Sequence, residues 1–143
     1  MNILVTGATG FIGSHLMEKL KRSKFKIFAL RRNKNLPKKN KNIYWINKGL
    51  EEVNLIDFKD IEIVIHLASV GVSPKVESIK KLDDINVKES LRLINLANNA
   101  GVKRFIATGT CLEYGKEADN WQNIPPNATL KPLCSYSISK AKS

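Results

Sequence analysis

The first thirteen residues contain the feature that most restricts how this chain can fold. An apolar run, Ile3–Val5, leads into three glycines spaced three residues apart: Gly7, Gly10 and Gly13. An amphipathic segment follows them. This order predicts a β-strand, a tight turn and the start of an α-helix. A strand, a glycine turn and a helix in succession indicate the first unit of a Rossmann-type, doubly wound parallel α/β sheet.

Each glycine has a physical reason in such a turn. Gly7 permits the turn, Gly10 leaves the backbone amides open to a pyrophosphate, and Gly13 lets the helix pack closely against its strand. The helix N-terminus, with Phe11 and Ile12 in its first turn, then presents free N–H groups and the positive end of the helix dipole. We therefore predict that these five residues bind a dinucleotide. The alternative is a purely structural turn.

The rest of the chain alternates strands with helices, which predicts a parallel sheet of about five strands in a single domain, residues 1–143. The apolar spacing of the first helix predicts that Ile12, Leu16 and Leu20 are buried, and that of the second predicts that Val53 and Ile56 face inward. The predicted elements in chain order are helix Phe11–Ser23, strand Lys26–Leu30, strand Ile43–Ile46, helix Leu50–Phe58, a strand within Asp60–Ala68, helix Leu82–Asn99 and strand Arg104–Thr108.

Two arginines, Arg31 and Arg32, directly follow the second predicted strand. In an NAD-binding sheet this place usually holds a carboxylate that accepts hydrogen bonds from the ribose. A guanidinium binds a 2′-phosphate there instead. The pair favours NADP as the cofactor, with NAD as the alternative. The alternative is that both arginines are exposed members of a basic loop and have no role in cofactor binding.

Near the C-terminus, Tyr136 and Lys140 lie four residues apart at the start of a predicted helix, so both side chains project from one face. An ammonium beside a tyrosine stabilises the phenolate, which is the form that accepts a proton. Thr110 follows the fifth predicted strand and has a hydroxyl that can hydrogen-bond a reacting oxygen. We predict that Thr110, Tyr136 and Lys140 are catalytic residues, with Tyr136 and Lys140 also contacting the cofactor, and that the site needs no metal.

The segments "TGATGFIG", "IVIHLAS" and "GTCLEYG", together with the Tyr-x-x-x-Lys pair, resemble the extended short-chain dehydrogenase/reductases. More closely, they resemble the NAD(P)-dependent epimerase/dehydratase family, which modifies nucleotide sugars. The resemblance implies cofactor contacts at Leu67, Ala68 and Ser69, and places Asn86 at the same site as a stabilising residue. It gives His66 a structural role. Asn47 stands where the family often has an aspartate that contacts adenine, so that contact is in doubt.

The resemblance also implies a reaction. Dehydratases of the family carry an Asp-Glu pair after the threonine, whereas this chain has Cys111 and Leu112, so we expect a 4-keto-sugar reductase or an epimerase that transfers hydride between a nicotinamide and a nucleotide-diphosphate hexose. Such enzymes continue into a sugar-binding domain that is missing here. We therefore expect this chain to be an N-terminal portion that is inactive alone, and the resemblance also suggests a homodimer.

The amino-acid composition leaves several classes of function open. The net charge of +11, concentrated in Lys19–Lys26 and Arg31–Lys41, raises nucleic-acid binding as an alternative, but no aromatic residues interleave with the second run to stack on bases. No apolar run reaches the length of a membrane span, and no signal peptide precedes the first strand. The two cysteines indicate a reducing cytoplasm. A remaining alternative is a non-catalytic, redox-sensing dinucleotide-binding module.

Overall fold

Five parallel strands form one sheet in the computed structural model, which describes residues 1–32, 40–72 and 77–143. The spatial order of the strands is β3-β2-β1-β4-β5, and each neighbouring pair is parallel. This order is the one expected for a Rossmann-type sheet, and it confirms the predicted fold. The strands are β1 (Asn2–Thr6), β2 (Lys26–Leu30), β3 (Ile43–Ile46), β4 (Ile63–His66) and β5 (Arg104–Ala107).

The described residues divide into two compact units. The sheet unit comprises residues 1–68 and 91–108, and the helical unit comprises residues 69–90 and 109–143. Four α-helices are present in the described part of the chain: α1 (Phe11–Leu20), α2 (Ile79–Leu82), α3 (Ser90–Asn99) and α4 (Ser135–Ala141). A π-helical segment, Asp83–Glu89, lies between α2 and α3. Short 3₁₀ turns occur at Leu50–Glu52, Leu55–Phe58, Cys111–Glu113 and Gly115–Asn120.

The sheet unit buries apolar side chains on both faces of its sheet. On β1, Leu4 belongs to a cluster with Leu93 of α3, whereas its neighbour Val5 belongs to a second cluster with Met17 of α1. Successive strand residues point to opposite faces, so α1 covers one face and α3 covers the other. Burial on both faces is the reason that the strand sequences are apolar almost throughout.

The first helix is shorter than the sequence predicts, and two residues of its predicted stripe, Leu16 and Leu20, are partly buried and pack against the core. The helix ends at Leu20 rather than Ser23, and Gly13 and Met17 are its buried residues. Ile12 is 61% exposed, so its predicted burial is wrong. The helix approaches the glycine turn closely at Gly13, where a β-carbon would overlap Gly7 and Ala8, and packs on the core through Met17.

The predicted helix Leu50–Phe58 is replaced by two 3₁₀ turns. Asn54 caps the second turn, because its side chain accepts from the Ile56 N–H at 3.1 Å while its own N–H donates to Asp57 at 2.9 Å. A capping asparagine has non-helical backbone and therefore interrupts the helix. Val53 is buried as predicted, but Ile56 is 77% exposed, contrary to the prediction.

The segment Leu82–Asn99 is helical throughout, as predicted, but the helix begins earlier, at Ile79. Its middle part is a wider, π-helical turn. Its π-helical segment, Asp83–Glu89, contains the buried Asn86. Such segments are frequent at functional sites because they redirect a side chain that regular helical geometry would place elsewhere. No helix in the described ranges has the length and apolar character needed to cross a bilayer.

Candidate active site

The glycine turn closes the carboxyl end of β1. Gly7 has a φ of +68°, and a β-carbon there would lie 2.6 Å from the Ala68 nitrogen and 2.7 Å from the Leu67 carbonyl carbon. Any side chain at position 7 would therefore collide with the segment that follows β4. At Gly13 a β-carbon would overlap the Gly7 carbonyl oxygen and lie 2.9 Å from Ala8. The structure thus gives Gly7 and Gly13 the steric roles that the spacing predicts.

The start of α1 is open to solvent. Gly10 occupies the N-cap position with an extended backbone, so no side chain caps the helix. Phe11 is 83% exposed and Ile12 is 61% exposed. The N–H groups of a first helical turn have no acceptor within the helix, and residues 11–14 are all uncharged, so no carboxylate competes for them. This cradle of backbone donors is suited to a diphosphate.

The carboxyl ends of β1 and β4 lie side by side, where the strand order changes direction. Thr6 pairs in register with His66, and its Oγ1 lies 2.6 Å from His66 Nδ1. The same hydroxyl accepts from the Ala68 N–H at 3.3 Å, and the Thr6 carbonyl accepts from the Leu67 N–H at 3.2 Å. His66 is buried, which agrees with a structural role. These bonds fix Leu67 and Ala68 beside the glycine turn, at the crevice where open α/β sheets bind ligands.

Arg31 is more constrained than the sequence suggests. It is buried, its Nε donates to Asn47 Oδ1 at 2.6 Å, and its guanidinium lies 5.1 Å from the centre of the Trp45 ring. Asn47 therefore contacts the arginine predicted to bind the cofactor. Arg32 is exposed. Most of the basic run Arg31–Lys41 lies outside the described residues.

Asn86 has a central place in the helical unit. Its Oδ1 accepts from Ser69 Oγ at 3.2 Å and from the Val70 N–H at 2.9 Å, and its Nδ2 donates to the Val70 carbonyl at 3.0 Å and to Ser139 Oγ at 3.0 Å. These four bonds use the full capacity of a primary amide. The side chain thus positions Ser69 and α4, and its place among the cofactor-binding residues stays a prediction.

Helix α4 carries both Tyr136 and Lys140. Cys134 caps it, accepting from the Ser137 N–H at 3.5 Å, and hydrogen bonds from Ser137 lower the pKa of this thiol. Ser139 Oγ donates to the Tyr136 carbonyl at 2.7 Å and is itself held by Asn86. The first turn of α4, which contains the tyrosine, is therefore fixed at two points.

The two predicted catalytic residues of α4 differ in exposure. Tyr136 is half-buried, and a β-carbon on Gly71 would come within 3.5 Å of its ring. Lys140 is only 6% exposed, and its Nζ lies 3.4 Å from Ser143 Oγ. Burial lowers the pKa of Lys140, while the carboxylate of Glu113 opposes that change. An amine in such surroundings can hold or release its proton under the control of nearby charge.

Thr110 adjoins the same carboxylate. Its N–H donates to Glu113 Oε1 at 2.7 Å, and its Oγ1 accepts from the Leu112 N–H at 3.4 Å. The sequence reasoning overlooked Glu113, although the Thr-x-x-Glu spacing from Thr110 is the signal of a capping box and was sufficient to find it. It also overlooked Trp45, which no local pattern connects to Arg31.

Comparisons with known proteins agree with this geometry. The family model described as NAD dependent epimerase/dehydratase family matches residues 3–143. A putative UDP-glucose 4-epimerase of Methanocaldococcus jannaschii is 32% identical over 148 residues, covering 96% of this chain and 47% of the relative. The CDP-abequose synthase of Salmonella typhimurium is 34% identical over 136 residues, covering 90% of this chain and 44% of the relative.

A solved structure shows the same similarity. MoeE5 in complex with UDP-glucuronic acid and NAD superposes with a TM-score of 0.86 at 33% identity, over 99% of this chain and 46% of that chain. This chain therefore spans about half the length of the relatives it matches. The match covers the glycine turn, the five strands and the Tyr-x-x-x-Lys pair, and on that evidence the chain belongs to the NAD dependent epimerase/dehydratase family.

Proposed function

We propose that this chain supplies the nicotinamide-dinucleotide site and the proton-transfer residues of an enzyme that acts on a nucleotide-diphosphate hexose, as a 4-keto-sugar reductase or an epimerase. The observation that carries the proposal is the cradle at the glycine turn. No side chain caps the first turn of α1, and a β-carbon at Gly10 would meet only the Gly7 carbonyl oxygen, so the backbone donors of that turn are accessible to a ligand. A diphosphate fits such a cradle.

The residues then have defined roles. A bound nicotinamide supplies the hydride acceptor or donor. Tyr136 takes the proton from a sugar hydroxyl, or returns it in the reverse direction, and Thr110 hydrogen-bonds the same oxygen. Lys140 binds the ribose hydroxyls of the cofactor and stabilises the phenolate of Tyr136 by its positive charge. Leu67, Ala68 and Ser69 line the nicotinamide ribose, where Asn86 holds Ser69 in place.

The cofactor is proposed to be NADP in preference to NAD, because Arg31 and Arg32 follow β2. NAD is the cofactor in the MoeE5 complex, so the preference needs a direct test. Titration of the chain with NADPH and with NADH, followed by nucleotide fluorescence, should show tighter binding of NADPH. Arg32→Glu should remove that difference, because Arg32 is exposed and its loss disturbs no buried contact.

The control for that experiment is Arg22→Glu, which changes the same charge at an exposed position after α1. It should leave the NADPH preference intact. Equal affinities for the two cofactors in the wild-type chain would remove the argument from Arg31 and Arg32 and leave NAD as the cofactor.

The catalytic role separates an enzyme from a redox-sensing module. A chimera joining residues 1–143 to the C-terminal half of the Methanocaldococcus jannaschii relative supplies the length that this chain lacks. It should convert a nucleotide-diphosphate hexose, and Tyr136→Phe should abolish turnover while leaving dinucleotide binding intact. Tyr44→Phe, which removes a hydroxyl from β3, is the matched control. Binding of the dinucleotide with no turnover that depends on Tyr136 would favour the binding module.

We also propose that copies of the chain associate into a homodimer. Leu91 and Ile94 are exposed on α3, although the helix buries its opposite side. Exposed apolar side chains on one helix are suited to contact with a second copy. Sedimentation of the wild-type chain should show a dimer, and Leu91→Glu should give a monomer. A wild-type monomer at high concentration would contradict the proposal.

A further inference from the structure

Glu113 forms a hydrogen bond to the backbone of Thr110. Its Oε1 accepts the Thr110 N–H at 2.7 Å. Gly109 leaves room for the carboxylate, since a β-carbon there would lie 3.3 Å from Oε1, tighter than ordinary contact. The bond fixes the backbone of Thr110 in an extended conformation and with it the direction of the threonine side chain.

The same carboxylate acts on Lys140. The ammonium is 6% exposed, and burial alone makes its charged form less stable than in water. The negative charge of Glu113 favours the charged form and acts against burial. One side chain therefore connects two of the three predicted catalytic residues.

Other charged groups lie on the elements that pack against α4, which are α2, the π-helical segment and the 3₁₀ turn Cys111–Glu113. In the parts that the structure describes, these groups are Lys80, Lys81, Asp83, Asp84, Lys88, Glu89 and Glu113. Lys81 pairs with Glu77, and Lys88 pairs with both aspartates. Glu113 is the group among them whose charge affects the proton affinity of Lys140.

Capping alone does not account for this arrangement. Glu52 makes an equivalent cap in the sheet unit, where its Oε2 accepts the Gly49 N–H at 2.6 Å in the 3₁₀ turn Leu50–Glu52. Glu113 differs from Glu52 in that it combines the cap with an electrostatic effect on a buried ammonium.

We propose that Glu113 is a positioning residue, which orients Thr110 through its backbone N–H and carries a negative charge on the 3₁₀ turn that packs against α4, the helix of the buried Lys140 ammonium. The proposal rests on the proposed function for the meaning of Thr110 and Lys140. The electrostatic effect of the Glu113 carboxylate on the Lys140 ammonium can be tested in this chain without substrate.

The test uses Glu113→Gln in the 143-residue chain. The amide oxygen still accepts the Thr110 N–H, so the cap remains, but the negative charge is removed. The Lys140 side-chain ¹³Cε resonance, assigned with Lys140→Arg, is followed by NMR through an alkaline titration. The pKa of Lys140 should be lower in Glu113→Gln than in the wild type, and Glu52→Gln should leave it unchanged.

A second variant isolates the positional effect. Glu113→Ala removes both the charge and the cap, so it should lower the Lys140 pKa as Glu113→Gln does and, in addition, move the Thr110 amide resonance and speed its hydrogen exchange. Glu113→Gln should leave that resonance close to its wild-type position. The proposal is overturned if the Lys140 pKa is the same in Glu113→Gln and the wild type, or if Glu52→Gln lowers it equally.

The pH dependence of cofactor affinity, measured on the same chain, gives a functional test. Affinity for NADPH should fall as pH rises through the Lys140 pKa, because the ammonium then loses its charge, and the fall should occur at lower pH in Glu113→Gln. A lowered Lys140 pKa with no binding of NADPH or NADH at any pH would uphold the electrostatic link and contradict the proposed function. An unchanged Lys140 pKa with normal NADPH binding would do the reverse.

Discussion

Replacing Gly13 with alanine should destabilise the fold. A β-carbon at this position would overlap the Gly7 carbonyl oxygen and lie 2.9 Å from the backbone of Ala8. Carbon atoms in contact prefer a separation of about 3.5 Å, so α1 and the turn must move apart by at least roughly 0.6 Å to relieve the contact with Ala8, and farther to clear the Gly7 oxygen. The obstructing atoms are backbone atoms in the turn, which a side-chain rotation does not relieve.

Two effects of opposite sign determine how much Gly13→Ala changes the free energy of unfolding. Alanine is a better helix former than glycine by ~1 kcal/mol, whereas overpacking a close contact costs about 1–3 kcal/mol and more when backbone must move. The steric effect should dominate, with a net loss of roughly 1–2 kcal/mol in the free energy of unfolding. For a chain of this size that corresponds to a fall in Tm of about 3–8 °C, measured by circular dichroism.

Gly10→Ala is the informative partner variant. A β-carbon there would meet only the Gly7 carbonyl oxygen, at 3.2 Å, and the φ of −75° is one that alanine adopts freely. Its Tm should stay within about 2 °C of the wild type, because an N-cap glycine and alanine differ by less than about 1 kcal/mol. Dinucleotide affinity should fall at least about tenfold, since the new methyl group occupies the diphosphate cradle. A stable Gly13→Ala chain would refute the steric reasoning.

Three further predictions concern buried polar groups. Thr6→Val removes the hydroxyl that bonds His66 and should cost about 1–3 kcal/mol in urea unfolding; an unchanged midpoint would contradict the assigned bond. Asn86→Leu should cost more than about 2 kcal/mol, and calorimetry showing a smaller loss would mean that its four bonds contribute little. Because burial lowers the pKa of Lys140, the unfolded chain binds its proton more tightly, so Lys140→Met should raise the free energy of unfolding at pH 7, a gain that shrinks as the pH rises through the pKa of Lys140. Lys142→Met, at an exposed position, should show no such gain.

The sheet was predictable because the signals that define it are local. The bounds of β2 and β3 match the prediction, since each is a short apolar run between polar or glycine-containing segments. The doubly wound parallel arrangement followed from the glycine turn and from the alternation of strands and helices. Family membership followed from the same residues.

The errors came from competition between local patterns and contacts distant in the sequence. Ile12 fits the apolar period of α1, but the helix approaches the glycine turn through Gly13, and the side chain of Ile12 is left exposed to solvent. The cap at Asn54 outweighs the helical period between Leu50 and Phe58. The position of Arg31 depends on Trp45 and Asn47, which lie on the neighbouring strand and just after it, so sequence spacing does not reveal it.

Titration of the ¹⁵N-labelled chain with NADPH, followed by amide resonances, tests the binding of the diphosphate at the glycine turn most directly. The largest changes should occur at Gly10, Phe11, Ile12 and Gly13, with smaller ones at Leu67 and Ala68, and Gly10→Ala should require at least about tenfold more NADPH to produce them. Changes confined to the lysines of the segment Lys19–Lys26, or no changes at millimolar NADPH, would contradict the account.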